Sequence, residues 1–171
     1  MALDATTSKA IANALADGKT YTFPTPYLGL FTTMPGSGGT GGKELNYPEY
    51  CRVDLMAKGI EGQVILGEAA TEEGTGNDAD KLVAYVKNQE RIYFPDVQFK
   101  KVETVDGVEI EGTMEEGHSY QEQVIGVGLF SSKKATTPYL WGEFPEGSEP
   151  VLVKLNSVPM IRINNLKLTA K

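Results

Sequence analysis

The chain has 171 residues, 40% of them hydrophobic and 23% charged, enough for one domain with a core of its own. Lys and Arg number 16 against 23 Asp and Glu, a net charge of -7 with no basic stripe, and such a chain repels a phosphate backbone, which excludes nucleic-acid binding. A single cysteine, Cys51, and a single histidine, His118, exclude an internal disulfide and a Cys/His zinc site, and no apolar run reaches the roughly 20 residues that cross a bilayer.

Residues 4–18 read as the one good helix, with Ala10, Ile11, Ala14 and Leu15 forming an apolar stripe at three- and four-residue spacing. Thr6, Thr7 or Ser8 is expected to cap its start and Gly18 to end it. Beyond Gly18 the texture turns to strand. Tyr21-Thr22-Phe23 leads through Pro24 and Pro26 into Tyr27–Thr33, a strand by its aromatic and β-branched content. The glycine-rich run 36–42 is expected to be a flexible surface loop. It fails as a phosphate-binding loop in both registers: one puts Gly42 at the lysine position, the other puts Ser37 at the first glycine and Glu44 at the final hydroxyl.

Tyr50–Leu55 alternates and reads as the next strand, with Cys51 a small core residue in its middle. Gln63–Leu66 is a short strand candidate, and 71–80 an exposed polar loop. The acidic run 72–80 lacks the ligand spacing of a calcium loop and reads as solvated, so no metal or cofactor is expected. Leu82–Val86 and Arg91–Phe94 are further strands. Val102–Met114 alternates around Asp106-Gly107, a strong hairpin signal. His118 beside Ser119 makes no dyad, because neighbouring side chains seldom face each other; it reads as a loop residue.

The last third is strand-rich: Gln123–Phe130, Pro138–Phe144, Val151–Leu155, Met160–Ile163 and Leu166–Thr169. Ile161, Ile163, Leu166 and Leu168 are expected to face inward, with a bulge or bend at Asn164-Asn165. Gly29-Leu30-Phe31-Thr32-Thr33 is echoed by Gly128-Leu129-Phe130-Ser131-Ser132, which points to two similar central strands with glycine where a ring or backbone comes close. The class expected is mainly β: an antiparallel sandwich, jelly-roll-like or barrel-like, with one N-terminal helix. The expected division is a helical arm at 1–20 and a single β-sandwich at 21–171, with a possible inserted hairpin at 100–122.

These segments are similar, in order and spacing, to small phage tail-fibre-like virion proteins. Tyr27-Leu28-Gly29-Leu30-Phe31-Thr32-Thr33-Met34-Pro35 resembles their early strand, and the run 36–42, Glu44 and Tyr50-Cys51-Arg52-Val53 follow as they do there. Ile92-Tyr93-Phe94-Pro95, Val124–Phe130, Leu140–Phe144 and Ile161–Leu168 continue the series, whereas residues 60–90 and 100–122 depart from it. The resemblance implies a non-enzymatic virion subunit of the tail, baseplate or fibre, made in the host cytoplasm and working by assembly. Its expected partners are copies of itself in a ring or trimer and neighbouring virion proteins, with no membrane insertion. Ile11 and Leu15 of the helix and Gly38, Gly41 and Lys43 of the loop are the candidate assembly contacts. The alternatives are a capsid decoration or head-fibre protein, or a receptor-binding tip that stacks a host surface glycan on Tyr120, Tyr139 or Trp141, for which core packing is the competing explanation.

Overall fold

Asp4, and not Thr6, Thr7 or Ser8, starts the helix. Its carboxylate accepts the amides of Thr6 and Thr7 at 2.8 and 3.0 Å and the Thr7 hydroxyl at 2.7 Å. Residue 4 takes this place because its own N–H is held by the Tyr139 carbonyl at 3.1 Å, at the end of the short strand β1 (Ala2–Leu3). Helix α1 runs Ala5–Ala16. It ends as expected at Gly18, whose φ is +66°. The amides of Gly18 and Lys19 fold back on the carbonyls of Leu15 and Ala14, the pairing that a left-handed residue after a helix permits.

The computed structural model describes residues 2–73, 82–98, 100–105, 108–114, 120–144 and 151–170. The strands after α1 are β2 (Tyr27–Thr33), β3 (Lys43–Glu44), β4 (Val53–Asp54), β5 (Ala70–Glu73), β6 (Leu82–Lys87) and β7 (Ile92–Tyr93). Then come β8 (Lys100–Val105), β9 (Val108–Met114), β10 (Gln121–Val124), β11 (Gly126–Phe130), β12 (Leu140–Glu143), β13 (Val151–Lys154), β14 (Met160–Ile161) and β15 (Lys167–Ala170). The protein is mainly β, in antiparallel sheets, with one N-terminal helix, as the sequence leads one to expect; the described strands close no barrel.

The largest sheet has the order β1-β12-β11-β2-β3, with β4 also paired to β2. Its period-2 alternation sorts the side chains into two layers. Leu28 and Leu30 of β2 and Val127 and Leu129 of β11 fall on one face and join the main core with Leu45, Leu55, Ile92, Phe94, Val97, Val124, Val153 and Leu166. Phe31, Phe130 and Trp141 fall on the opposite face, also buried but outside that core. Thus the two strands of the Gly-Leu-Phe echo lie side by side, with Gly29 opposite Gly128.

Around this sheet stand β15-β6-β5 and the pairs β10-β13, β14-β7 and β8-β9. The hairpin expected at 102–114 is present as β8-β9, with Val105 opposite Val108. Its Asp106-Gly107 turn, the 74–80 part of the acidic run, His118 and Ser119 lie outside the described residues. The strand expected at Gln123–Phe130 breaks at Ile125: β10 pairs with β13, and β11 with β2 and β12. Gln63–Leu66 forms only isolated bridges, Lys58 with Val64 and Leu66 with Asn88. Residues 71–73 of the expected loop lie in β5. Asn164 does mark the bend between β14 and β15, with φ +64°. Leu166 is buried, and Ile161 and Leu168 pack against the core.

Cys51 is a correction: it is exposed and precedes β4. Of the strand expected at Tyr50–Leu55 only Val53–Asp54 is strand, and Tyr50 and Arg52 turn inward to bind Glu44 and leave the residue between them outside.

Candidate assembly surfaces

Arg52 organises the second face of the large sheet. Its Nε and Nη2 clamp the Glu44 carboxylate at 3.0 and 2.7 Å. Its Nη1 donates to the carbonyls of Ser132, Lys133 and Ala135 at 3.1, 3.2 and 2.7 Å. The guanidinium carbon stands 3.2 Å from the centre of the Phe130 ring. A planar, always charged fork with five donors suits this combination of pairing and stacking; a lysine cannot reproduce it. Glu44 also accepts the Tyr50 hydroxyl at 3.0 Å, and that hydroxyl in turn accepts the Leu30 amide at 2.9 Å. Burial first, and then the charge of Glu44, push the Tyr50 phenol far above its ordinary pKa, so it stays a donor.

The loop expected to be a free assembly contact is folded down on the same face. Gly36 N–H bonds Thr40 O at 2.9 Å and Gly39 N–H bonds Gly36 O at 3.1 Å. Gly39 is buried: a β-carbon there would stand 3.1 Å from the Pro138 carbonyl and 3.4 Å from Trp141. Together with the segment 132–138 it roofs Phe31, Phe130 and Trp141. A depression of about 260 Å³ remains between the two roof segments, lined by Phe31, Glu44, Phe130, Thr40, Thr136 and Thr137 among others. Gly38 and Gly41 have positive φ and open space around them, and Gly41 borders the depression. Lys43 is exposed and reaches Glu122 at 3.1 Å.

On the N-terminal arm the structure keeps the stripe only in part. Thr7 is the buried residue of α1, Ile11 is half-buried and Leu15 is 81% exposed. The arm is held by β1, where Ala2 pairs with Trp141 and Leu3 with Leu140.

The three candidate glycan contacts are not brought together as a stacking platform. Trp141 and Tyr139 are buried, at 6% and 7% exposure, under the roof and beside the connector that carries Phe23. Their rings fill space within the protein, and neither offers a face to a ligand. Tyr120 is half-buried, edge-on to Tyr47 at 6.1 Å. Among the described residues no group of His, Cys, Asp and Glu could hold a metal ion.

Two buried polar residues escaped the sequence reading. Asn88, fully buried, donates through Nδ2 to the carbonyls of Glu90 and Arg162 at 2.7 and 2.9 Å, and its Oδ1 accepts the Leu166 amide at 2.9 Å. Glu90, 1% exposed, accepts the amides of Glu61 and Gln63 at 2.9 and 2.6 Å. Neither has a local motif: each reads as one polar residue in the turn after β6, and only distant chain segments make it a cross-link. Glycines at 59 and 62 flanking Ile60 were the available sign of a tight turn.

No curated protein matches the chain. A family model, that of the podophage GP4 fiber I protein gp80, matches residues 2–118, which takes in the arm, the glycine loop, the Arg52–Glu44 pair and the Asn88–Glu90 turn. The match also runs through 60–90 and 100–118, where the sequence departed from the fibre-like pattern. The chain belongs to this family, and it is accordingly a fibre-associated structural component of a bacteriophage virion.

Proposed function

We propose that the protein is a non-enzymatic subunit that works by assembly, joining copies of itself in a ring or trimer and touching neighbouring fibre or tail proteins. The family match over residues 2–118 carries this reading. Two features of the molecule support it. The N-terminal arm presents Leu15 to solvent on a helix held by a two-residue strand. Apolar side chains also stand exposed elsewhere, among them Met56, Ile60 and Val158. Assembly then needs only burial of complementary surface, on the order of 1,200 Å² or more in total for a specific contact.

Light scattering on gel-filtered protein tests the homo-oligomer: a defined multiple of the 18.5 kDa chain is expected, and a strict monomer at all concentrations counts against it. Immunogold labelling of particles tests the place in the virion. Label at the fibre or tail is the expected outcome; label confined to the head favours a decoration role.

A further inference from the structure

The N-terminal arm is joined to the large sheet by three residues. Ala2 pairs with Trp141 and Leu3 with Leu140 on the β12 edge, and the Asp4 N–H closes the ladder on the Tyr139 carbonyl at 3.1 Å. Beyond Asp4, helix α1 has Thr7 buried and Ala10, Ile11 and Ala14 half-buried, yet among the described residues no strand packs extensively on it. Apolar surface is left uncovered along the arm: Leu3 is 37% exposed, Leu15 81% and Phe23, in the connector that follows, 51%.

The connector, residues 18–26, can straighten at little cost. Between Lys19 and Pro26 no backbone N–H is hydrogen-bonded among the described residues. Gly18 turns the chain at its start with a φ of +66°, and Pro24 and Pro26 favour an extended path at its far end. Straightening it releases the contact of Phe23 with Tyr139, 6.1 Å between ring centroids, and a long bond of 3.4 Å from the Tyr139 hydroxyl to the Pro24 carbonyl. At about 3.1 Å per extended residue the connector reaches about 28 Å. A folded chain of this length has a radius of gyration of about 15 Å, so the reach spans to a neighbouring copy in contact with the first.

We infer that the arm is exchanged between copies: strand β1 of one chain adds to the β12 edge of the next, and makes there the contacts it makes here within one chain. The acceptor itself specifies the occupant. The β12 edge and the Tyr139 carbonyl fit Ala2, Leu3 and Asp4 residue by residue, and every copy carries both halves. Exchange of an identical element therefore keeps the whole ladder. It also brings Leu3, Leu15 and Phe23, exposed in a single chain, between two bodies. Arm and acceptor are different surfaces, and a head-to-tail contact of that type closes into rings.

This inference rests on the homo-oligomer proposed above, and a cross-strand disulfide separates the two. The Asp4–Tyr139 bond makes Leu3 and Leu140 a non-hydrogen-bonded pair, whose Cα atoms stand about 4.5 Å apart, within disulfide range. Leu3→Cys and Leu140→Cys are placed on separate chains, one with a size tag, each with Cys51→Ser to remove the exposed native thiol. After co-expression and oxidation, a non-reducing gel is expected to show tagged and untagged chains linked. Both changes on one chain are expected to give a covalent multimer. A disulfide confined within single chains overturns the exchange and leaves the homo-oligomer standing; no disulfide in any combination overturns it too, since β1 would then not lie on β12. Ala2→Pro removes one ladder donor and needs no cross-link. It is expected to raise the concentration at which the oligomer dissociates roughly tenfold, and an unchanged midpoint overturns the exchange. A wild-type chain that never associates overturns the homo-oligomer and the exchange together.

Discussion

The rings of Phe31 and Phe130 stack with centroids 6.0 Å apart and planes 19° from parallel, and each lies over the glycine two residues before the other in the paired strand. A β-carbon on Gly128 would stand 2.5 Å from Phe31 Cε2, and one on Gly29 would stand 2.8 Å from Phe130 Cε2 and would strike the Glu44 carboxylate. The Gly-Leu-Phe echo is therefore a reciprocal arrangement across two antiparallel strands, in which each glycine makes room for the other strand's ring.

Gly29→Ala and Gly128→Ala are each expected to destabilise the fold by about 1–3 kcal/mol through overpacking. Urea denaturation gives the value directly. Losses under about 0.5 kcal/mol, the range of neutral surface changes, would show that the rings move aside freely.

Arg52→Lys is expected to cost nearly as much as Arg52→Ala, because lysine keeps the charge but loses the bidentate grip on Glu44, the bonds to the 132–135 carbonyls and the stacking on Phe130. Breaking a largely buried pair costs roughly 3 kcal/mol. Adding Glu44→Gln to Arg52→Ala should recover part of this loss, since it removes the carboxylate left without its partner. A double-mutant cycle on denaturation midpoints reads the coupling, and strict additivity would show that the two residues act independently.

Asn88 ties the turn after β6 to the C-terminal bend, so Asn88→Ala is expected to cost about 2–4 kcal/mol, from several buried backbone groups left without partners. Hydrogen exchange locates the effect: the Leu166 and Asn164 amides, bonded to the Asn88 side chain and carbonyl, should lose protection first. Protection lost evenly over all strands would mean global destabilisation instead of a released C-terminus.

Asp4 and the buried tyrosines give opposite pH limits. Burial raises the Asp4 pKa, but the bonds from the Thr7 hydroxyl and the Thr7 and Thr6 amides outweigh it and leave the carboxyl below its ordinary value. Its contribution is thus present above the unfolded carboxylate range near pH ~3.9 and is lost as pH falls through the lower folded value. Asp4→Asn should be close to pH-independent at this site, so the wild-type advantage in helix signal, about 1 kcal/mol or less for a cap, should shrink below pH ~4.

Burial raises Tyr47, Tyr50, Tyr120 and Tyr139, the last to about 12. For these phenols the stabilisation is complete below the unfolded value near pH ~10 and disappears as pH climbs through the folded values. The phenolate absorbance of these four rings should therefore appear only above pH ~10 and together with unfolding; its full appearance near pH ~10 in the folded protein would mean that the rings are open to solvent.

The sequence by itself determined the class of fold, because class depends on local period and turn chemistry. The aromatic and β-branched content of Tyr27–Thr33, the Asp-Gly turn signal between β8 and β9 and the stop at Gly18 are all properties of a few neighbouring residues. The collinear fibre-like segments were legible for the same reason, and the family match agrees with them over residues 2–118. Other features were decided only when distant segments met. Whether Cys51 or Arg52 points inward depends on Glu44 and Phe130; whether Trp141 is a platform or core depends on Gly39 and Pro138 closing over it. The loop at Ile60 closes over a buried carboxylate only because Glu90 reaches it from a distant part of the chain. Burial and polar satisfaction are sums over contacts between residues far apart in the chain, so no local pattern encodes them.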